Sequence, residues 1–472
     1  MPQGAVSSPL LWNLFGNKLD LESFADDFHE LISLCNVDEI VARLNTTAEE
    51  LMAWAEQHEM SVSAPKSTLT LFTPWTKQVN LQLDVKIGNE TVPTVKNPKL
   101  LGVILDPLFT FSHHAAAIAR RGEPRLNILR ALSDSSFGKD KECLVMTFKC
   151  FIRSLFDYCA PIVYPSYSHS SIEKLQKVQN KALRLATGCH TLAAIEHLHA
   201  EAQELTVENH LRLLSDQFLA RSLQPDHVSY PYTSLDQGPR RLRHTLRSKC
   251  LADVEPYLEA DGTVSRGKFP AIKKQLHTDI VGQAIDSLGP NRVLGRSPPP
   301  IDASETSLPR ITRVTLSQLR SGHCVKLRDL QLRLGKTLDD ICPDCSLFPQ
   351  TVAHLFDCPA HPTTLDVSAL WEAPRDAADH IRSFAAFDLP PLGTPPRPAR
   401  RRRPPAVPPD SPVFSPLVPP PSPPLIRPLM PLRGSSSYSS LSPRRLFSPG
   451  SSSLHSRVNS ESSILSDMDL FL

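Results

Sequence analysis

The sequence predicts an α+β chain. Short strands and helices fill its first part, longer helices follow, then a small Cys/His module and a tail with no order of its own. Three observations predict it. Thr68-Leu69-Thr70-Leu71-Phe72 alternates as a strand does. Ile172, Leu175, Val178, Ala182 and Leu185 recur at helical spacing. About 20 of the 45 prolines follow Phe384, where periodicity stops.

The 472 residues suggest roughly two to four domains. Formal charge is +2, and ten basic against five acidic residues after Phe384 leave the rest at about −3. Contacts with a polyanion must therefore come from local basic faces. Ten cysteines without a secretion signal read as reduced thiols, so the expected setting is intracellular, nuclear or cytoplasmic, and not secreted. No run of 18 apolar residues is present, which argues against a membrane partner.

Pro2-Gln3-Gly4 reads as a turn entering a helix whose apolar face is Leu10, Leu11, Leu14 and Phe15. Phe24-Ala25-Asp26-Asp27 then sets two carboxylates side by side, the oxygen ligands Mg²⁺ takes in nucleotidyl transfer. Such a tripeptide also occurs by chance on solvated turns. Residues 28–60 read as helix, with Thr46-Thr47 and Glu49-Glu50 as a cap for its second half. Lys66 opens the strand at 68–72, and further short strands are expected within 79–87 and 100–105, broken at Asn97-Pro98.

Helices are expected at 112–121, 125–132, 140–157, 170–187, 191–203 and 206–222, with a break at Pro124. In 140–157 the apolar face is Leu144, Phe148, Phe151, Ile152 and Leu155. In 170–187 Lys174, Lys177, Lys181 and Arg184 recur at 3-4-3 spacing beside the apolar face. That stripe either tracks a phosphate backbone, releasing counterions, or is a solvated face.

Residues 223–310 read as a loop-rich connection carrying Arg240, Arg241, Arg243, Arg247 and Lys249, and Ser297-Pro298-Pro299-Pro300 marks its boundary. A helix is expected at 315–334. Cys342, Cys345, His354 and Cys358 give C-x2-C-x8-H-x3-C, a spacing that presents four ligands to a structural Zn²⁺. Reduced cysteines in a loop are the other reading, and His361 stands outside the pattern. The tail at 385–472 holds Pro-x-x-Pro spacings suited to SH3- or WW-type partners. Its Arg400-Arg401-Arg402-Arg403 run suits nuclear import or nucleic acid.

The order Pro2-Gln3-Gly4, Ser8-Pro9-Leu10-Leu11, Phe24-Ala25-Asp26-Asp27 resembles the palm of reverse transcriptases from non-LTR (LINE-type, jockey-like) retrotransposons. Residues 154–161 (SLFDYCAP) and 175–184 (LQKVQNKALR) are similar to the thumb of the same enzymes. The stretches 319–323 and 354–359 match a downstream Cys-Cys-His-Cys segment. The resemblance implies a truncated palm at 1–110, a helical thumb at 111–222, a connection at 223–310, and a helix with a zinc module at 311–384. It implies RNA-directed DNA polymerase chemistry with Mg²⁺ on Asp26 and Asp27, and an RNA template and DNA primer as partners. Lys66 would lie near the triphosphate, Gln3 and Gly4 would line the nucleotide and template site, and Gly102 would shape the primer grip.

A catalytically incomplete fragment is nevertheless expected. The family's third carboxylate comes from a strand upstream of Pro2, the fingers precede it, and the catalytic hairpin is expected to lack its first arm. The alternative is a non-catalytic nucleic-acid-binding or adaptor protein derived from such an element.

Overall fold

The computed structural model describes residues 22–24, 27–73, 75–134, 138–234, 245–391 and 450–454, with backbone alone for 22–24, 27 and 450–454. It is mostly helical, with a few short antiparallel strands.

β1 (Glu22–Phe24) and β2 (Asp27–Leu31) form an antiparallel hairpin, Phe24 opposite Asp27 and Glu22 opposite His29. Two sequence expectations are corrected here. Residues 28–31 are strand rather than helix, because Phe28 turns inward to meet Trp54 edge-on at 5.7 Å. The hairpin also has a first arm, Glu22–Phe24, which pairs along β2.

α1 (Val37–Gln57) starts at Asn36, whose side chain accepts from the Asp38 N–H at 3.0 Å. It runs unbroken past the expected cap. Thr46 instead donates back to the Ala42 carbonyl, and Thr47 donates to Glu30 at 2.8 Å. Its buried face (Leu44, Ala48, Leu51, Trp54, Ala55) packs beneath the strands.

β3 (Thr68–Leu71) follows a 3₁₀ turn that contains Lys66. Of the strand expected at 79–87 only β4 (Lys86–Ile87) forms, in a hairpin with β5 (Glu90–Thr91). β6 (Lys99–Leu100) and β7 (Val103–Ile104) make the next hairpin.

α2 (Ser112–Leu132) continues through Pro124. The missing hydrogen bond and ring clash cost about 3 kcal/mol. Burial of Ile118, Leu126 and Leu129 against the helix bundle offsets that, at about 1.5–3 kcal/mol per large side chain. The expected break therefore does not occur.

α3 (Lys141–Phe148) passes through a π-helical turn, Lys149–Arg153, into Ser154–Asp157. The extra residue in that turn rotates the apolar face. Phe151, expected inside, is exposed, and Phe156 is buried in its place. Arg125 donates to the Phe151 carbonyl within that turn.

α4 (His169–Thr187), α5 (Ile195–Ala202) and α6 (Val207–Ser222) complete this bundle, whose core includes Leu144, Phe148, Ile152, Leu175, Val178, Leu183 and Leu198. The stretch read as loop-rich contains α7 (Leu246–Val254) and α8 (Phe269–Asp286). Cys250, Ile272, Leu276 and Ile280 form a second core with Leu213, Leu219 and Leu223, so α6 serves two cores.

The helix expected at 315–334 is two. α9 (Arg310–Arg320) ends at Ser321-Gly322, and α10 (Arg328–Arg333) resumes after a turn. α11 (His354–Asp357), α12 (Ala369–Glu372) and α13 (Pro374–Ile381) close a core that includes Leu316, Leu319, Leu355, Trp371 and Phe384. Phe387 and Leu389 are buried in it too, so order extends past the expected start of the tail at 385. β8 (Gly450–Leu454) pairs antiparallel with both β2 and β3. The Pro-x-x-Pro stretch and Arg400–Arg403 lie outside the described residues. Among the described residues no helix is long and apolar enough to cross a membrane.

Candidate functional site

The Cys/His module is built around two turns. Ile341 bridges to Pro349, the Cys342 N–H donates to the Phe348 carbonyl at 2.8 Å, and the Ser346 N–H donates to the Cys342 carbonyl at 2.9 Å. That closes the C-x-x-C loop with both sulfurs on one side. α11 supplies His354 from its first turn, its N–H capped by the Thr351 hydroxyl at 3.2 Å, and Cys358 directly follows the helix.

The four donor atoms of Cys342, Cys345, His354 and Cys358 all lie within 4.8 Å of one another, and Cys345 Sγ is 3.4 Å from His354 Nε2. A tetrahedral ion with S and N ligands needs edges of about 3.5–3.8 Å. Burial raises the Cys345 pKa, yet the N–H groups of Leu347 and Phe348 and the neighbouring thiols outweigh it and bring the net shift down. Cys358 is pushed up to about 11, burial being the main cause. Three thiols, one imidazole and peptide N–H groups aimed at sulfur suit a metal ion. His361 is occupied elsewhere, 3.4 Å from Asp344 and with its ring 4.3 Å from that of Phe384.

The basic stripe lies on the face of α4 that borders α2, along a groove of about 390 Å³ lined by Ala119, Glu123, Lys174, Lys177, Lys181 and Arg184. Lys177 pairs with Glu173 at 2.9 Å and Lys181 with Glu123 at 2.7 Å. Lys174 has no ion pair among the described residues. Arg184 donates to the carbonyls of Thr191 and Ala193. The opposite face of α4 is core, so the backbone that carries these cations is held rigidly.

Of the remaining candidates only some are described. Gln3, Gly4 and Asp26 lie outside the described residues, and Asp27 is described only as the first residue of β2. Lys66 is half-buried before β3, and β8 separates β3 from β2. Gly102 adopts φ +86° at the β6–β7 turn, and a Cβ there would come within 3.3 Å of the Tyr158 ring. The close approach that glycine permits is thus to Tyr158, whose hydroxyl donates to the Leu101 carbonyl. Of the second basic cluster, Arg240, Arg241 and Arg243 lie outside the described residues. Arg247 and Lys249 sit on α7, Arg247 donating to the Thr233 carbonyl and Lys249 lying 5.5 Å from the Tyr164 ring centre.

Sequence reasoning missed a buried ion cluster behind the module. Arg320 donates to Glu201 (3.0 and 3.3 Å), to Glu305 and to the Leu370 carbonyl, while Lys141 reaches both carboxylates at 3.4–3.5 Å. Burial opposes the Glu201 charge, but Arg320 and Lys141 prevail and hold its carboxyl below the usual range. Arg310 caps the end of α4 through the Leu185 and Ala186 carbonyls, both at 2.9 Å. No local sequence signal marks these arginines as buried.

Over 237 residues the chain is 27% identical to the probable RNA-directed DNA polymerase from transposon BS of Drosophila melanogaster, covering 45% of this chain and 25% of that protein. It is 26% identical over 254 residues to the probable RNA-directed DNA polymerase from transposon X-element of the same organism, covering 51% and 27%. The chain is related to the reverse transcriptases of non-LTR transposons. Its match spans about a quarter of the length of those relatives. No family model matches it. No solved structure matches it either. Among the described residues, the α4 groove gathers cations and the Cys/His cluster gathers possible metal ligands.

Proposed function

We propose that this chain is the part of a non-LTR retrotransposon reverse transcriptase that holds template and primer. On this reading residues 1–110 are palm, 111–222 thumb, 223–310 connection and 311–384 the segment that carries the Cys/His module. The α4 groove follows the phosphate backbone, and Zn²⁺ on Cys342, Cys345, His354 and Cys358 fixes the module. Asp26 and Asp27 are the Mg²⁺ ligands, with Gln3, Gly4, Lys66 and Gly102 around nucleotide, template and primer. The observation that supports it best is the groove: four cations in a row on a helix whose other face is locked into a core.

The adaptor reading uses the same groove and dispenses with Asp26 and Asp27. The strands beside β2 are β1, which carries Glu22, and β8, which carries no carboxylate; neither supplies the aspartate strand that the family resemblance implies. We therefore expect this chain to bind primed RNA without extending it. Extension in Mg²⁺ or Mn²⁺ that Asp26→Ala abolishes would favour the enzyme over the adaptor.

Binding itself is tested by anisotropy on labelled RNA across a salt series. Each phosphate contact contributes about 0.7–0.9 to the log–log slope. Lys174→Gln with Lys177→Gln should lower that slope by about 1.4–1.8. An unchanged slope would refute the groove. Elemental analysis should find one zinc per chain, and chelation should melt the module, given about 10–16 kcal/mol for a structural zinc site.

A further inference from the structure

Beyond Arg184 the cationic surface continues onto a different part of the fold. Gly188 ends α4 at φ +76°, and a Cβ there would sit 2.6 Å from Val314 of α9. Gln318 donates to the Gly188 carbonyl at 3.0 Å. The loop carrying His190 is thereby fixed against the loop that leaves α9. There the rings of His190 and His323 lie 8° from parallel with centroids 6.4 Å apart.

His323 Nδ1 donates to the Ser321 carbonyl at 2.8 Å, which leaves Nε2 to accept from the Arg292 guanidinium at 3.4 Å. Arg292, Arg333 and Lys336 are exposed, and His190 is partly so. Burial chiefly, then Lys336 and Arg184, lowers the His190 pKa; burial, then Arg292 and Arg333, does the same to His323. The nearby carboxylate of Asp329 is taken by Arg333 at 2.8 Å. Arg292 and Lys336 have no ion pair among the described residues.

We infer that this surface is a second binding site, for single-stranded nucleic acid, with Arg292, Lys336 and Arg333 on phosphates and the His190 ring against an unpaired base. It rests on the nucleic-acid reading of the α4 groove and extends it toward the Cys/His module. Exposed cations beside an aromatic face are what a single strand requires, whereas the bases of a duplex are already stacked.

The test uses the full chain, an oligouridylate of about 16 nucleotides and a duplex RNA of equal length. Arg292→Gln with Lys336→Gln should weaken oligouridylate binding about tenfold and lower its salt slope by about 1.4. His190→Ala should weaken the single strand about fivefold or more and leave the duplex unchanged, while His190→Phe should retain single-strand binding. Wild-type binding by these variants, with binding lost only in Lys174→Gln/Lys177→Gln, would overturn this site and leave the groove standing. Equal loss on both RNAs in His190→Ala would overturn the base contact. Absence of salt-dependent binding in the unaltered chain would overturn both sites.

Discussion

Arg320 and Lys177 each carry one positive charge, sit on amphipathic helices and lie within 3 Å of a carboxylate. Arg320 and its partners Glu201 and Glu305 are 0%, 1% and 3% exposed; Lys177 and Glu173 are 65% and 51% exposed. In the first case every donor is committed, because an unpaired charge away from water is too costly to persist. In the second, water competes for both groups, the pair contributes little, and either can exchange its partner. The difference separates charge that holds the fold from charge that can be lent to a ligand.

The largest way to break that comparison is Arg320→Met. It leaves the buried Glu201 and Glu305 to share Lys141, with Arg313 3.7 Å from Glu305, and should cost about 3–5 kcal/mol, read as a lower denaturant midpoint. Adding Glu201→Gln should recover part of the loss, because one negative charge then goes with the arginine while Glu305 keeps Lys141 and Arg313. A single variant that unfolds like the wild type would show that the cluster is already solvated.

Asp216 sharpens the comparison from the other side. It is fully buried like Arg320, but Arg212 Nε is 3.9 Å away and already bonded to Asp253 at 2.7 Å. Burial raises its pKa, helped by Asp253 and opposed by Cys250 and Arg212, to about 7. The folded state therefore binds a proton that the unfolded chain has released above the ordinary aspartate range. Stability contributed this way is complete in acid and is lost as pH rises from about 4 to about 7, by at most about 1.4 kcal/mol per pH unit. Asp216→Asn should flatten that decline in unfolding free energy measured against pH. An equal slope in the variant would mean that the carboxyl is charged and solvated.

These contrasts also mark where the sequence was legible. The α4 face and the C-x2-C-x8-H-x3-C spacing are local patterns, and a helix or a turn expresses them without help from elsewhere. The buried fate of Arg320 depends on Glu201, 119 residues away, and Glu305, 15 residues away. Nothing within one turn of α9 distinguishes it from a solvated arginine. Pro124 and the π-helical turn at Lys149–Arg153 failed for the same reason. The bundle core outweighs a local penalty in one case, and in the other a single extra residue exchanges Phe151 for Phe156. The Phe28 strand was hidden by a helical period that begins only at Val37.

On the exposed side, neutralising Lys174 and Lys177 should move stability by no more than about 0.5 kcal/mol while RNA affinity falls, the reverse of Arg320→Met. The smallest effect is expected at Glu123. Its carboxylate occupies Lys181 at 2.7 Å inside the groove, with both side chains about half exposed. An exposed pair is worth about 0.2–1 kcal/mol, so a phosphate taking over Lys181 must first displace it at that cost. Glu123→Gln should therefore tighten RNA binding by up to about fivefold and leave the unfolding midpoint where it was. If affinity stays the same while the Lys174 and Lys177 changes weaken it, the strand passes over the first half of α4 and does not reach Lys181.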